Sequence, residues 1–178
     1  MNGRPAVFLD RDGTLMEEVG YCSSPGDVAV YAGVRESLAR LRDAGFALIV
    51  ITNQSGIGLG YFTEAAYHAV HDEFVRQLAP AQIDGAYFSP DAPDSGSPRR
   101  KPAPGMVYEA AREHGVDLSR SYFVGDREGD VQCGAIAGLR TVLVETGYGI
   151  RFPDCAVDFR ARDFSEAANW ILEDARRA

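Results

Sequence analysis

Two carboxylates, Asp10 and Asp12, stand at the end of the apolar run Ala6-Val7-Phe8-Leu9 and are followed by Gly13-Thr14. A short apolar run closed by a turn reads as a buried strand with its acids at the C-terminal tip. That tip is where open α/β sheets bind ligands. Carboxylates so close repel each other unless a cation or a shared proton offsets the charge. Their natural use is one as nucleophile and metal ligand and the other as acid/base. Three more polar clusters follow further along the chain: Thr52-Asn53-Gln54-Ser55-Gly56, Arg100-Lys101-Pro102 and Gly125-Asp126-Arg127-Glu128-Gly129-Asp130. Carboxylates from two strands suit Mg²⁺, a hard ion that prefers oxygen. A hydroxyl, backbone N–H groups and a lysine suit a phosphoryl group in transfer. Taken singly, these clusters read as a solvated strand exit, a capping turn and an Asp-capped loop. Their joint occurrence, in this order along one sheet edge, points to one reaction. Lys101 is the only lysine of the chain. An arginine-favouring composition accounts for that by chance; a site needing a compact, rotatable ammonium accounts for it by chemistry.

The elements that must position these residues alternate strand and helix, which predicts a parallel sheet covered on both faces. Strands are expected at Ala6–Leu9, Phe46–Ile51, Gly85–Phe88, Tyr122–Val124 and Thr141–Val144, with an edge strand at Val157–Phe159. Helices are expected at Val34–Ala44 stopped by Gly45, from an N-cap at Thr63 to Leu78, at Pro104–His114 before Gly115, at Glu128–Ala137, and at Ser165–Arg176. The stretch Ser89–Arg100, rich in Pro, Ser, Gly and Asp, reads as a loop leading into Lys101. About 178 residues fit one domain with a sizeable core, spanning 1–178.

Composition narrows the partners. A formal charge of −8 argues against nucleic acid, whose binders carry a basic footprint. The widely spaced Cys22, Cys133 and Cys155 make neither a zinc nor a disulfide framework, and they fit a reducing cytoplasm. Residues 1–5 lead directly into the first strand, so neither a leader nor a membrane span is expected. His68 and His71 have helical metal spacing but no third ligand in context, and they read as a solvated helix face. Trp170, Ile171 and Leu172 read as core anchors, and Cys133 as a small buried residue.

The motifs Asp10-Arg11-Asp12-Gly13-Thr14, Ile51-Thr52-Asn53-Gln54-Ser55-Gly56, Arg100-Lys101-Pro102 and Gly125–Asp130 together resemble the four motifs of the haloacid dehalogenase superfamily in its phosphatase branch. The resemblance covers about Ala6 to Gly147. The longer runs DRDGTLMEEVGY, TNQSGIGLGYFTE and RRKPAPGM are similar to the heptose-bisphosphate phosphatases, with the histidinol-phosphate phosphatases as close relatives. It implies a three-layer Rossmann-like α/β fold with a central parallel sheet, and Mg²⁺-dependent hydrolysis of a sugar bisphosphate, the 7-phosphate of D-glycero-D-manno-heptose 1,7-bisphosphate. The implied roles follow. Asp10 is nucleophile and Mg²⁺ ligand. Asp12 is general acid, then base, with its backbone carbonyl on the metal. Thr52 and the backbone of Asn53 bind phosphoryl oxygens. Lys101 neutralises the nucleophile, and Asp126 is the second metal carboxylate. Asp130 ligates through water or orients its loop, and Arg100 and Arg127 take a second phosphate.

Two departures stand out. Many relatives carry a zinc loop of Cys and His before the lysine segment; the corresponding positions here are Ser89, Asp91, Ser97 and Arg99, so no zinc is expected. Leu59 replaces an arginine that those relatives usually show. The intervals between motifs hold a flap (about Glu17–Tyr31) and single helices, but no separate cap domain. In that flap Glu18 and Tyr21 face either substrate or solvent. The expected partner is a small phosphorylated sugar, with no nucleic acid or membrane, and the chain is expected to be a monomer. Competing readings are a histidinol-phosphate phosphatase, a polynucleotide 3′-phosphatase and, outside enzymes, a phospho-acceptor module using Asp10. A second acid placed to protonate a leaving group speaks for a phosphatase.

Overall fold

A computed structural model describes residues 3–177; Met1, Asn2 and Ala178 lie outside it, and with Met1 and Asn2 part of the expected lead into the first strand. The apolar runs form strands β1 (Ala6–Leu9), β2 (Ala47–Asn53), β3 (Gly85–Ser89), β4 (Tyr122–Gly125), β5 (Arg140–Val144) and β6 (Phe159–Ala161). They make one sheet in the order β3-β2-β1-β4-β5-β6, each neighbouring pair parallel. In this doubly wound order the winding reverses at β1 and β4, which opens a crevice at their C-terminal ends.

Alternation along the strands fills both faces. Val7, Leu9, Leu48, Val50, Val124, Val142 and Val144 join one core with α1 (Val34–Asp43), α3 (Glu64–Leu78) and α6 (Phe164–Ala175). Ala6, Phe8, Ala47, Ile49, Ile51 and Phe123 face the other way, against α4 (Gly105–His114) and α5 (Glu128–Ile136). These strands read as continuous apolar runs because both faces are covered. Helix ends follow the expected chemistry: the Thr63 side chain caps α3 through the Ala66 N–H, and Gly115 ends α4 in the left-handed region. Ile171 and Leu172 are buried and Trp170 stacks on Phe159, as core anchors should. No helix among the described residues is long and apolar enough to cross a membrane.

Three expectations need correcting. The edge strand begins at Phe159, not Val157, because the Asp158 carboxylate accepts from the Thr141 N–H (2.7 Å) and hydroxyl (3.0 Å) and so stands outside the ladder. Ser89 closes β3, paired with Asn53, rather than opening the loop. His71 is no part of a solvated face. It packs between Tyr67 and Phe74, and burial first, then the nearby Arg11 charge, lowers its pKa to about 4.

Among the described residues no separate cap domain is present; three inserts border the crevice. The flap leaves β1 and closes at its base through a Met16–Val30 bridge and the Glu17 N–H on the Ala29 carbonyl (2.9 Å). Gln77 of α3 clasps it from outside, accepting from the Val30 N–H (3.1 Å) and donating to the Val28 carbonyl (2.8 Å). The second insert is α2 (Ser55–Gly58), a short turn of helix the sequence reading did not separate from its motif. The third is the loop after β3. There the Ser89 hydroxyl donates to Asp91 (2.9 Å), and the Gly58 N–H donates to the Pro90 carbonyl (2.9 Å). Glycine is required at 58, since a Cβ would stand 2.7 Å from that carbonyl oxygen.

Candidate active site

The crevice at the sheet switch point holds a cavity of about 390 Å³ lined by Asp10, Asp12, Thr52, Asn53, Lys101 and Asp130 and also by Glu18, Tyr21, Arg100, Arg127 and Tyr148. Four strand ends meet here. Asp10 follows β1, and its N–H is fixed on the Val124 carbonyl (2.9 Å). Thr52 and Asn53 end β2, and Asp126 follows β4. Lys101 arrives through the loop after β3.

Lys101 explains why the single lysine stands where it does. Its ammonium is buried and donates to Asp10 Oδ1, Asp130 Oδ1 and the Ile51 carbonyl, each at 2.7 Å. Three donors meet three acceptors, a geometry a flat guanidinium cannot copy. Burial alone lowers an amine's pKa; here Asp10 and Asp130 outweigh it and hold Lys101 above its ordinary value. The Asn53 amide fixes the lysine's main chain reciprocally, accepting from the Lys101 N–H and donating to the Lys101 carbonyl, both at 3.0 Å. Asn53 therefore brings its side chain to the site as well as its backbone.

Asp10, Asp126 and Asp130 each place a carboxylate oxygen within 4.8 Å of the others. Asp126 Oδ2 accepts from the Tyr148 N–H (2.8 Å), whereas its Oδ1 is buried without a hydrogen-bond partner. Burial, with Asp10 and Asp130 beside it, pushes the Asp126 carboxyl well above the ordinary range. Asp130 is also raised, by burial first and against the pull of Lys101. Three acids against one ammonium, with an orphaned carboxylate oxygen, fit a hard divalent cation such as Mg²⁺. Gly13 lets the β1 turn approach; its φ is +82° and a Cβ there would collide with the Asp126 carboxylate.

Asp12 turns away from that triad. Arg11, which has no solvent exposure, grips it through Nε (3.0 Å) and NH2 (3.2 Å to Oδ1), and Gln54 Nε2 donates to it at 3.0 Å. Gln54 also donates to the Thr52 hydroxyl (2.9 Å), and the Arg11 guanidinium lies 5.4 Å over the Tyr67 ring. Neither Arg11 nor Gln54 emerges as functional from spacing alone. The available signal is a guanidinium between two acids and an amide beside the motif threonine.

The two candidate anion-binding arginines differ. Arg127 is paired with Glu18 of the flap (3.2 Å) and lies 4.1 Å over the Tyr148 ring. Among the described residues the Arg100 side chain has only the Asp91 carbonyl (3.0 Å) as a hydrogen-bond partner, and burial lowers its pKa. Asp130 contacts Lys101 and accepts from the Arg127 N–H (3.0 Å), closing the first turn of α5. Leu59, in place of the relatives' arginine, ends α2 with 40 % exposure and is absent from the cavity lining. At the four loop positions, Ser89, Asp91 and Ser97 supply oxygens engaged with one another, and Arg99 a cation paired with Glu109 (3.4 Å).

The HAD-hydrolase-like family model matches residues 98–167. D-glycero-D-manno-heptose-1,7-bisphosphate 7-phosphatase of Thermosynechococcus vestitus is 38% identical over 94% of this chain and 95% of its own length. D-glycero-beta-D-manno-heptose-1,7-bisphosphate 7-phosphatase of Yersinia pestis is 36% identical over 94% of this chain and 89% of its own. Among solved structures, D,D-heptose 1.7-bisphosphate phosphatase from B. bronchiseptica, complexed with magnesium and phosphate, superposes with a TM-score of 0.86. It is 33% identical and covers 96% of this chain and 99% of its own.

Proposed function

Because the chain belongs to the family of D-glycero-D-manno-heptose-1,7-bisphosphate 7-phosphatases within the HAD-like hydrolases, we propose that it removes the 7-phosphate of that sugar bisphosphate in a Mg²⁺-dependent reaction. The observation that carries this reading is Asp10 at the switch point, with one oxygen on the Lys101 ammonium and a place in the buried triad with Asp126 and Asp130.

Asp10 is the nucleophile. It attacks phosphorus in line and forms a phosphoaspartyl intermediate that water then hydrolyses, so that one hard displacement becomes two easier ones. Asp12 protonates the departing alkoxide and afterwards takes a proton from the attacking water. Arg11 and Gln54 hold its carboxylate in one orientation for both tasks. The Thr52 hydroxyl and the N–H groups at the end of β2 receive the phosphoryl oxygens, and Lys101 offsets charge as it builds on them. Asp10, Asp126 and the main-chain carbonyl of Asp12 would hold Mg²⁺, and Asp130 pairs with Lys101. When bound, the ion neutralises the triad and screens an incoming phosphate dianion from it. Arg100 takes the second phosphate, since its charge has no acidic side-chain partner within hydrogen-bond reach. The same reading has the chain acting as a cytoplasmic monomer on a small sugar, without nucleic acid or membrane, with a Ser89–Arg100 loop free of zinc.

The test is kcat/KM, with and without Mg²⁺, on heptose 1,7-bisphosphate in both anomers, histidinol phosphate, fructose 1,6-bisphosphate and a 3′-phosphorylated oligonucleotide. The heptose bisphosphate is expected to lead the series, and Arg100→Ala to raise its KM about 10-fold or more, the worth of a charge-assisted contact. A higher kcat/KM on histidinol phosphate or the oligonucleotide would overturn the substrate assignment.

A further inference from the structure

Glu18 is a carboxylate that the reaction above does not use, yet it stands in the wall of the reaction cavity. Its side chain is only 9% exposed. Oε1 accepts from the Gly20 N–H (2.7 Å) and Oε2 from Arg127 NH2 (3.2 Å). A carboxylate in this place is a liability for a phosphatase, because the substrate arrives as an anion and Asp12 already adds negative charge nearby. Arg127 offsets the liability, and the pair presents little net charge to the cavity. An ionised carboxylate has about four acceptor positions, so the two hydrogen bonds leave acceptor capacity on a side chain that lines the cavity. Among the described residues no third donor reaches this carboxylate.

We infer that Glu18 is a specificity-determining residue that accepts hydrogen bonds from hydroxyl groups on the leaving side of the ester, so that the site selects phosphates of polyols. Asp12, the residue that protonates the leaving oxygen, lines the same cavity, and on this proposal Glu18 reaches hydroxyls on the carbons next to that oxygen. Arg127, committed to Glu18 and stacked on Tyr148, then serves as the holder of this acceptor; the second phosphate is left to Arg100. The inference rests on the phosphomonoesterase reading and deepens it.

The experiment compares wild type, Glu18→Ala and Glu18→Gln on a sugar bisphosphate and on p-nitrophenyl phosphate, which has the same scissile group and no hydroxyls. In Glu18→Ala, kcat/KM on the sugar substrate is expected to fall roughly 10- to 100-fold, the range for a lost hydrogen bond to a charged group. On the aryl ester it should stay within about threefold of wild type. Glu18→Gln keeps one acceptor oxygen and should recover part of the loss. Equal losses on both esters would show that Glu18 merely positions the flap, and unchanged sugar turnover would show that it contacts nothing; either result overturns the inference while leaving the phosphatase reading intact. A wild-type enzyme that turns over the aryl ester as efficiently as any sugar phosphate overturns the substrate reading and the inference with it.

Discussion

Replacing Lys101 by methionine keeps much of the apolar stem and removes the charge. The ammonium serves two buried carboxylates and one carbonyl, each at 2.7 Å. Removing one member of a buried ion pair costs about 3–5 kcal/mol, because the other is left uncompensated. Here two acids lose their partner at once, and Asp126 beside them is already hard to ionise. In the metal-free protein the loss is therefore expected near the upper end, about 5 kcal/mol, a large part of the 5–15 kcal/mol that separates folded from unfolded states. Urea unfolding in the presence of a chelator measures it. Saturating Mg²⁺ should narrow the gap between variant and wild type, since the ion becomes the sole cation of the triad; binding contributes about 2.7 kcal/mol at 100 times Kd, and at one fixed concentration contributes more to the protein that binds it tighter. Turnover should fall about 10²- to 10³-fold or more even in Mg²⁺, as when a preorganised donor to developing charge is removed. A Lys101→Met protein within about 1 kcal/mol of wild type in chelator, or one retaining a tenth of wild-type kcat, would refute the charge argument.

Arg11→Met should lower kcat about 10- to 100-fold with little change in KM, because Asp12 loses its grip while the phosphate contacts remain; a selective rise in KM would contradict this role. His71 supplies a pH signature. Its pKa is lowered to about 4 by burial and then by Arg11, so between pH 4 and about 6.5 the unfolded chain binds the proton that the folded chain refuses. The stability from this group is present above about pH 6.5 and is lost as pH falls through 4. His71→Phe should therefore flatten the decline of melting temperature with acid over that window, and an unchanged slope would locate the acid sensitivity elsewhere. Asn53→Ala breaks both bonds to the Lys101 main chain and is expected to cost about 1–3 kcal/mol in denaturant, together with a drop in kcat as the lysine loses its register.

Strand positions and their order were legible because a sheet buried on both faces writes itself as apolar runs. Ala6–Leu9 was bounded to the residue, and Glu64–Leu78 followed from the Thr63 cap and the downstream proline. What escaped is where a side chain overrides the pattern. Asp158 withdraws a residue from the ladder by bonding Thr141, and His71 is half-buried between Tyr67 and Phe74 of its own helix rather than solvated. In the site, residue types chosen for their own chemistry were legible as neighbours: Asp10, Asp12 and Lys101 line one cavity, and Asp126 brings a carboxylate oxygen within 4.8 Å of Asp10. The residues that hold them were not. Arg11, Gln54 and the amide of Asn53 act on other protein groups, and their meaning depends on which strand ends become neighbours.

Electrostatics ties these parts together. Asp10, Asp126 and Asp130 against Lys101 leave an excess of negative charge in a low-dielectric crevice. A phosphate dianion entering that crevice alone meets repulsion that Thr52 and backbone dipoles do not offset. A divalent cation cancels the excess, so metal and phosphate must favour each other's binding, and by linkage each raises the other's affinity by the same factor. Arg100 and the Glu18–Arg127 pair border this balance, one as a cation without an acidic hydrogen-bond partner and the other as an ion pair whose arginine also feels the charges of Asp126 and Asp10. The inner residues thus answer to the phosphoryl group and its ion, while these bordering residues answer to the rest of the substrate. They are therefore where relatives sharing the same four strand ends are free to differ in what they hydrolyse.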